Sequence, residues 1–292
     1  MLSLHQAFTV RMAARVSRAR AARNRVELGI MVSSRDFWEL STALPDFTEL
    51  LLFESDDLGV VRRIQHEGWS KEVLPLVRFV HAQEFILYKC RKRLLDLSSG
   101  DEDFRGASVG AVLMAREVAN GLGGLPVVIH PGGIRRDVRS RDSLLDNLEQ
   151  SLKELGSAGL LLENMPWFYW YRKKDRMLSN ACVSIEDIRR FSRFVDGLTL
   201  DVCHGYLSKP EGDQGYCRRF MKTFGSKIKH IHVSDARAPD CEGLQIGEGE
   251  VDFSFLKGAE VPITVEIWNG HLDDGKGFWR GIERLRALER SW

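Results

Sequence analysis

The segment GLLLENMPWFYWY, residues 159–171, runs from three leucines into a glutamate, Glu163, and then into five consecutive aromatic residues. A short apolar run that follows a glycine is typical of a strand buried on both faces. A carboxylate at the end of such a strand is costly to bury unless a partner compensates its charge. Glu163 therefore indicates a functional site at the end of a buried strand, and the same pattern recurs along the chain.

Seven further apolar runs are spaced along the sequence, with amphipathic helical patterns between them. The runs are VELGIMV (26–32), LLLF (50–53), PLVRFVHA (75–82), PVVIH (126–130), LTLDVCH (198–204), IKHIHVSD (228–235) and ITVEIWN (263–269). Eight strands alternating with about eight helices over residues 26–292 predict a single (β/α)8 TIM barrel. A doubly wound open sheet is the alternative, but no GxGxxG motif follows the first run.

The charge of the chain is unevenly distributed. Of its 42 basic residues, six are arginines within residues 1–25, where no acidic residue occurs, so residues 26–292 are acidic by five charges. We expect residues 1–25 to form a basic, flexible N-terminal arm. An organellar targeting segment, or a true start at Met12, are the alternatives. An acidic body matches a DNA backbone poorly, which disfavours DNA as a partner without excluding it.

The sequence lacks a long apolar run and CxxC spacing, and both features bear on the cellular location of the protein. No apolar run approaches the ~20 residues that a membrane helix needs, so we expect no membrane association. The five cysteines show no CxxC spacing, which favours reduced thiols and a cytoplasmic location.

Ionisable side chains stand at or near the ends of six of the eight apolar runs. They are His81, His130, Glu163, the pair Asp201 and His204, the pair His230 and His232, and Glu266. Because the carboxyl ends of all strands of a barrel meet on one face, we expect these side chains to converge there. Residues two apart on a strand point to the same side, so His230 and His232 are expected to share a face.

This set of side chains favours a bound divalent cation, because three unpaired carboxylates would be costly to bury together. Imidazole and carboxylate ligands suit Zn, Mn, Co or Fe. A single histidine or glutamate at a strand end is more often a satisfied polar residue, but six such strand ends are hard to attribute to chance. The pattern predicts a site for one or two ions.

The motifs at these strand ends carry a resemblance to a known family. The series HA, HPGG, LEN, LDVCH, HIHVSDA, GEGEVDF and VEIWN resembles the xylose isomerase-like TIM barrels. That superfamily joins sugar and sugar-phosphate isomerases and epimerases with endonuclease IV, the AP endonuclease family 2. The likeness extends over about residues 26–290 and does not single out one activity.

The resemblance implies two sets of metal ligands that share one residue. The set typical of the epimerases corresponds to Glu163, Asp201, His232 and Glu266. The ligands of a further ion in endonuclease IV correspond to His81, His130 and Glu163, with Glu163 bridging. His204 corresponds to a ligand of a third zinc in the nuclease and to a residue that touches substrate in epimerases.

One departure from the nuclease pattern is visible in DCEGLQIGEG, residues 240–249. Endonuclease IV has an Asp-x-His pair shortly before its GEG motif, and the matching positions here are Cys241 and Gly243. Two of the three protein ligands of a third metal are therefore missing, which disfavours a trinuclear nuclease site.

Other residues near the strand ends are candidates for binding substrate. In GEGEVDFSFL (247–256), Gly247 and Gly249 allow close backbone approach, as in a phosphate-binding loop, and Asp252 is placed to cap a short helix. A tight turn is the simpler explanation. Arg237 is a candidate partner for a substrate hydroxyl or phosphate, although an exposed arginine is an equal alternative.

The aromatic run 167–171 is expected on a loop above Glu163, where Trp167 would stack on a sugar or help to exclude water. The alternatives for this run are stacking on nucleic acid bases, a packed loop and a dimer contact. Because a dimer contact is among them, the protein is a possible homo-oligomer.

These features together predict a divalent-metal-dependent isomerase or epimerase that acts on a small carbohydrate, namely a sugar, sugar phosphate or related polyol. Proton transfer would pass through a metal-stabilised enediolate, with Glu163 and Glu266 as base and acid and His204 orienting the substrate. The alternative is a di-metal phosphoesterase resembling endonuclease IV, in which His81 and His130 hold the second ion. A non-catalytic barrel is a third, weaker alternative.

Overall fold

The computed structural model describes residues 26–33, 36–41, 45–53, 76–136, 141–171 and 175–291. Its strands are β1 (Leu28–Ser33), β2 (Phe47–Leu51), β3 (Val77–His81), β4 (Phe85–Tyr88), β5 (Arg91–Leu94), β6 (Val127–Ile129), β7 (Ile134–Arg135), β8 (Leu160–Glu163), β9 (Phe168–Tyr171), β10 (Asp175–Ser179), β11 (Gly197–Asp201), β12 (Ile228–Val233), β13 (Asp235–Arg237), β14 (Cys241–Leu244) and β15 (Ile263–Val265). Its α-helices are α1 (Phe37–Ser41), α2 (Glu102–Gly121), α3 (Arg141–Leu155), α4 (Ile185–Phe191), α5 (Val202–Ser208), α6 (Tyr216–Phe224) and α7 (Leu272–Ser291).

Eight of these strands are parallel and close into a barrel, in the order β1, β2, β3, β6, β8, β11, β12 and β15, with β15 pairing back onto β1. Among the described residues, α-helices follow β1, β3, β6, β8, β11 and β15, and the predicted (β/α)8 TIM barrel is confirmed. Each apolar run of the sequence overlaps one barrel strand. The second strand begins at Phe47, three residues before the predicted run. The prediction missed this part of the strand because Thr48 and Glu49 are polar, although both are fully buried.

The helices form where the amphipathic patterns predicted them. α3 buries its leucine stripe against the barrel, including Leu144, Leu148 and Leu152. α4 is capped by Ser184, whose hydroxyl accepts a hydrogen bond from the Asp187 amide at 3.1 Å. Asp273, Asp274 and Gly275 have positive φ within α7, so the regular part of this helix begins after Gly275.

The centre of the barrel is filled by a layer of large side chains. Phe47, Phe79, Val128 and Leu161 pack together there and are almost fully buried. A Cβ atom at Gly29 would lie 2.5 Å from the ring of Phe47, so only glycine leaves room for that ring. Since this layer closes the barrel interior, the polar side chains lie towards the carboxyl ends of the strands.

Three small sheets are built from the segments that follow barrel strands. They are β4–β5, β7–β10–β9 and β13–β14. The aromatic run was expected on a loop above Glu163; four of its five residues form β9, which pairs antiparallel with β10, so the segment after β8 begins with a β-hairpin. Alternating side chains of a β-hairpin have fixed directions, and the aromatic rings therefore separate into different environments.

The first and last described elements are joined at the amino-terminal side of the barrel. Arg286 of α7 donates to the Val26 carbonyl at 2.6 Å and to Asp46 Oδ2 at 2.7 Å. The predicted arm, residues 1–25, lies outside the described residues. None of the helices in the described part of the chain is long and apolar enough to cross a membrane. All five cysteines are described and none forms a disulfide.

Candidate metal centre

Glu163 lies at the carboxyl end of β8, at the centre of a cluster of imidazoles. Its Oε2 atom is 3.4 Å from His81 Nε2, 3.5 Å from His130 Nε2 and 3.5 Å from His232 Nδ1. Its Oε1 atom is 3.1 Å from His204 Nδ1. The Glu163 carboxylate is completely buried, so its charge is neutralised by these neighbours and not by bulk water.

The predicted ligands come together as the two overlapping groups that the resemblance implied. One group is His81, His130 and Glu163, and the other is Glu163, Asp201, His232 and Glu266. In each group, one ligand atom from every residue lies within 4.8 Å of the others. The sharing of Glu163 by both groups is the arrangement that a bridging carboxylate requires.

Asp201 is held in place by the backbone around it. It is the N-cap of α5, where its Oδ1 accepts from the His204 amide at 2.5 Å. The side chain of Asn164 donates to the Asp201 carbonyl and accepts from the Asp201 amide, both at 2.9 Å. Asn164 thereby ties the end of β8 to the end of β11 and sets the spacing between Glu163 and Asp201.

His232 and Glu266 complete the four-residue group from β12 and from the end of β15, the two barrel strands that follow β11 in the sheet order. His232 Nδ1 is 2.9 Å from Glu266 Oε2, and the Glu266 side chain is 29% exposed whereas that of His232 is completely buried. Glu266 is thus the member of the group that faces the mouth of the barrel. A small molecule that entered from the mouth would meet Glu266 before it met Glu163.

The charges of the cluster shift the pKa values of its members. Burial by itself would raise the pKa of Glu163, but the imidazoles of His130 and His232 hold it well below its usual range. Burial would lower the pKa of His204, but the charges of Asp201 and Glu163 raise it to about 10. The site therefore requires positive charge, which protonated imidazoles or a divalent cation supplies.

The donor atoms fit a divalent metal ion. Both oxygens of Glu163, Oε2 of Glu266 and Nδ1 of His232 are buried and lack a well-directed hydrogen bond. Such atoms are rare unless a ligand satisfies them. His81 donates through Nδ1 to the Ala82 carbonyl at 2.8 Å, which leaves its Nε2 directed at Glu163 as a metal-binding histidine needs.

Two glutamates in this region were missed by the sequence analysis. Glu49 of β2 is fully buried, and its Oε2 lies 2.9 Å from His232 Nε2. Burial would raise the pKa of Glu49, but His232 and His230 lower it to about 2, so it is a buried anion. The signal that could have identified Glu49 is an acidic residue inside the mostly apolar segment FTELLLF, residues 47–53.

The second missed residue, Glu242, belongs to the stretch that departs from the nuclease pattern. Cys241 is exposed, and Gly243 packs beneath Trp268, so neither replaces a metal ligand. Glu242, between them, is buried with its Oε2 at 3.9 Å from His204 Nε2. Burial raises the pKa of Glu242 to about 7. This hairpin thus delivers a carboxyl group to His204.

His230 shares the buried face with His232 as predicted, but it lies deeper in the barrel. Its ring stacks on Phe79 with 3.8 Å between the ring centroids, and its Nε2 hydrogen-bonds with Thr264 Oγ1 at 2.8 Å. Burial lowers the pKa of His230 to about 3, so it is neutral and serves the packing below the site.

The loop that contains Gly247 and Gly249 folds around an internal carboxylate. The amides of both glycines donate to Asp235 Oδ2, at 2.8 and 2.9 Å, and the Val251 amide donates to Oδ1 at 3.0 Å. Asp252 caps the following 3₁₀ turn as predicted, accepting from the Ser254 amide at 2.9 Å. Asp235 accounts for the loop geometry, and a substrate-binding role for the two glycines stays a prediction.

Gly249→Ala is expected to destabilise the protein, because the added Cβ would lie 2.3 Å from the Ala236 carbonyl oxygen. Overpacking of this kind costs about 1–3 kcal/mol. The measurement is the free energy of unfolding in urea. Gly106→Ala is the matched control, since its Cβ meets nothing within 4 Å on α2. Equal stability of the two variants would contradict the close packing of this loop on β13.

The remaining two candidates for binding substrate lie further out. Arg237 donates to the Glu248 carbonyl at 2.8 Å and its side chain is 57% exposed. Trp167 precedes β9 and is 41% exposed, whereas Tyr169 is buried and donates to Glu84 Oε2 at 3.0 Å. The aromatic run therefore supplies one exposed ring and one buried ring close to the mouth, and the roles of Arg237 and Trp167 stay predictions.

Comparison with solved structures shows which proteins share this barrel. A D-tagatose 3-epimerase-like protein superposes with a TM-score of 0.64 and 20% identity, over 91% of this chain and 98% of the other. The 3-keto-D-glucoside 4-epimerase of E. coli superposes with a TM-score of 0.64 and 15% identity, over 90% of this chain and 100% of the other. Endonuclease IV of Thermus thermophilus superposes with a TM-score of 0.58 and 15% identity, over 89% of this chain and 99% of the other. At these identities the likeness concerns the fold alone.

The sequence comparisons lead to a family and not to one activity. No curated protein matches the chain significantly. The model of the xylose isomerase-like TIM barrel family matches residues 59–288, which include all the metal-centre residues named above except Glu49. With the closed barrel and the overlapping ligand groups, this match over most of the chain shows that the protein belongs to the xylose isomerase-like TIM barrel family.

Proposed function

We propose that this protein is a divalent-metal-dependent isomerase or epimerase that acts on a sugar, a sugar phosphate or a related polyol. The observation that carries the proposal is the group formed by Glu163, Asp201, His232 and Glu266, in which three carboxylates from different barrel strands lie beside one imidazole. The solved epimerases that share the barrel support the substrate class. Zn, Mn, Co and Fe are the ions that these ligands suit.

Glu163 and Glu266 are the proposed acid–base pair. A general base must reach the proton that it removes, and its partner must return one to the product. Glu163 is ionised because the neighbouring imidazoles hold its pKa below the usual range, so it is in the deprotonated form that a base needs. Glu266 faces the mouth of the barrel and would act on the other side of the substrate.

A divalent ion held by the four residues would draw electron density from adjacent substrate oxygens and so stabilise an enediolate. His204 is positioned to orient the substrate, since its backbone and ring are both anchored. Its Nδ1 donates to the Asn164 carbonyl at 3.0 Å, and its Nε2 faces Glu242. Trp167 and Arg237 are proposed to contact the outer part of the substrate.

A metallo-phosphoesterase is the second candidate, and the group of His81, His130 and Glu163 favours it. Three ligands of a second ion are present, and paired ions are the usual device for attack of water on a phosphate ester. The net acidic charge of residues 26–292 argues against a nucleic acid substrate for such an enzyme.

The test is hydrogen exchange in deuterated water, followed by proton NMR, with a panel of aldoses, ketoses and their phosphates. Protein reconstituted with Mn, Co or Zn is expected to incorporate deuterium at one carbon of at least one substrate. The same preparations are incubated with a duplex that contains an abasic site and are expected to leave it intact. Cleavage of the duplex without exchange into any sugar would reject the isomerase and favour the phosphoesterase.

A further inference from the structure

Glu49 lies on the far side of His232 from the proposed metal ligands. Its carboxylate is fully buried between β2 and β12, where Oε2 is 2.9 Å from His232 Nε2. The other ring nitrogen, His232 Nδ1, is 2.9 Å from Glu266 Oε2 and 3.5 Å from Glu163 Oε2. One histidine ring thus connects a buried carboxylate to the ligand group at the mouth.

The acceptor-only chemistry of a carboxylate decides which nitrogen of His232 carries a proton. An ionised glutamate accepts hydrogen bonds and cannot donate them, so the bond at 2.9 Å requires a proton on Nε2. A neutral imidazole has one proton, and its other nitrogen is then an acceptor. The 2.9 Å contact of Nδ1 with Glu266 Oε2 is not a well-directed hydrogen bond, so once a cation displaces a second proton from the ring, Nδ1 offers its lone pair on the side where Glu163 and Glu266 lie.

We propose that Glu49 is a positioning residue for the metal centre, which holds the His232 ring in place and keeps its proton on Nε2 so that Nδ1 binds the ion. The inference rests on the metal site proposed above and assigns Glu49 no contact with substrate. Outer carboxylates that accept from a metal-binding histidine orient the ring and increase its basicity.

The packing around Glu49 supports this role. The register between β2 and β3 shifts between Thr48 and Glu49, and such irregularities re-aim a side chain. Phe47, two residues earlier, packs in the closed apolar layer of the barrel. Glu49 thus enters the barrel above that layer, at the level of His232.

Glu49, His230 and His232 each have a potential ligand atom within 4.8 Å of the others, as a separate metal site would need, but their contacts argue against such a site. His232 Nε2 already donates to Glu49, and His230 Nε2 hydrogen-bonds with Thr264. Three ligands also fall short of the four protein ligands of a closed structural zinc site. The positioning role uses the hydrogen bonds as they stand.

The experiment compares Glu49→Gln with the wild type and with Thr264→Val as matched control. Thr264 is equally buried in the same region, and its side-chain hydroxyl hydrogen-bonds with His230 Nε2. Zinc and cobalt affinities are measured by competition with a chromophoric chelator. Glu49→Gln is expected to bind about 10–100-fold more weakly, the usual effect of losing an outer partner. Thr264→Val is expected to bind as the wild type does.

Three other results of the affinity measurements would contradict the inference. If the wild type binds metal and Glu49→Gln binds it with the same affinity, the inference is overturned, while the proposed metal site stands. Equal losses in both variants would assign the effect to packing and overturn it as well. Two ions bound by wild type, with one lost in Glu49→Gln and the other held at unchanged affinity, would indicate a separate site at Glu49 and reject the positioning role.

A measurement on the wild type keeps the inference testable if Glu49→Gln does not fold or if no metal binds. NMR of protein labelled with ¹⁵N in its histidine rings is expected to show a proton on His232 Nε2, with the signal assigned by its loss in His232→Gln. A proton on Nδ1 and none on Nε2 would overturn the proposal. Failure of wild type to bind any ion would instead reject the proposed metal site, while the NMR result still decides the role of Glu49.

Discussion

Glu163→Ala is expected to abolish stable metal binding, because Glu163 is the one residue shared by both ligand groups. Its loss should weaken binding by more than the ~10–100-fold that follows from losing an outer partner. Both ions of a two-metal centre should be lost together, since the bridging carboxylate is gone. The measurement is metal content by elemental analysis after dialysis, together with circular dichroism to show that the barrel is folded.

Glu154→Ala is the control for this variant, because Glu154 is a half-exposed glutamate on α3 that belongs to neither ligand group. Asp201→Asn is a useful second variant. Asparagine still caps a helix N-terminus, so α5 keeps its cap, whereas alanine would cost about 1 kcal/mol there. Asp201→Asn should therefore lose metal without losing stability. Wild-type metal content in both Glu163→Ala and Asp201→Asn would remove the basis for the metal centre.

The double variant His81→Ala with His130→Ala separates the two candidate activities. If the protein is an isomerase, the group of four ligands suffices, and the double variant should keep one tightly bound ion and most of its hydrogen exchange. If it is a phosphoesterase, paired ions carry the reaction, and the rate should fall by more than about 100-fold. We expect the first result, because the four-ligand group contains neither His81 nor His130.

Two measurements on the double variant are needed together. Elemental analysis counts the ions, and exchange in deuterated water with the responsive sugar gives the rate. One retained ion with a rate close to that of wild type supports the isomerase. Loss of all exchange with one ion still bound would show that the second ion takes part in the reaction, and the assignment of acid and base to Glu163 and Glu266 would then fail.

The fold was predictable from the sequence because its strands are buried on both faces. Each barrel strand overlaps a short, nearly continuous apolar run, and in six of these runs an ionisable residue at or near the end marks the point where the strand reaches the mouth. This local pattern is why Glu163, Asp201 and Glu266 were identified as neighbours although they are far apart in the chain. Barrel closure does bring them within 4.8 Å, together with His232.

The pattern failed where a side chain's direction depends on a neighbouring strand. Glu49 lay outside the predicted apolar run, and a register shift between β2 and β3 accompanies its entry into the barrel interior. Glu242 reaches His204 only because β14 pairs with β13 and turns back over the mouth. The aromatic run was expected in a loop, but pairing of β9 with β10 made it a strand.

The sequence by itself therefore determined the barrel and the candidate metal ligands that end its strands, since alternation and strand direction follow from local chemistry. Only the tertiary structure decided how those residues are supported. The partners of His232 and His204, namely Glu49 and Glu242, come from strands distant in sequence, and the contacts depend on register and hairpin pairing. Register is set by the packing of the whole barrel, and no single segment of the chain contains that information.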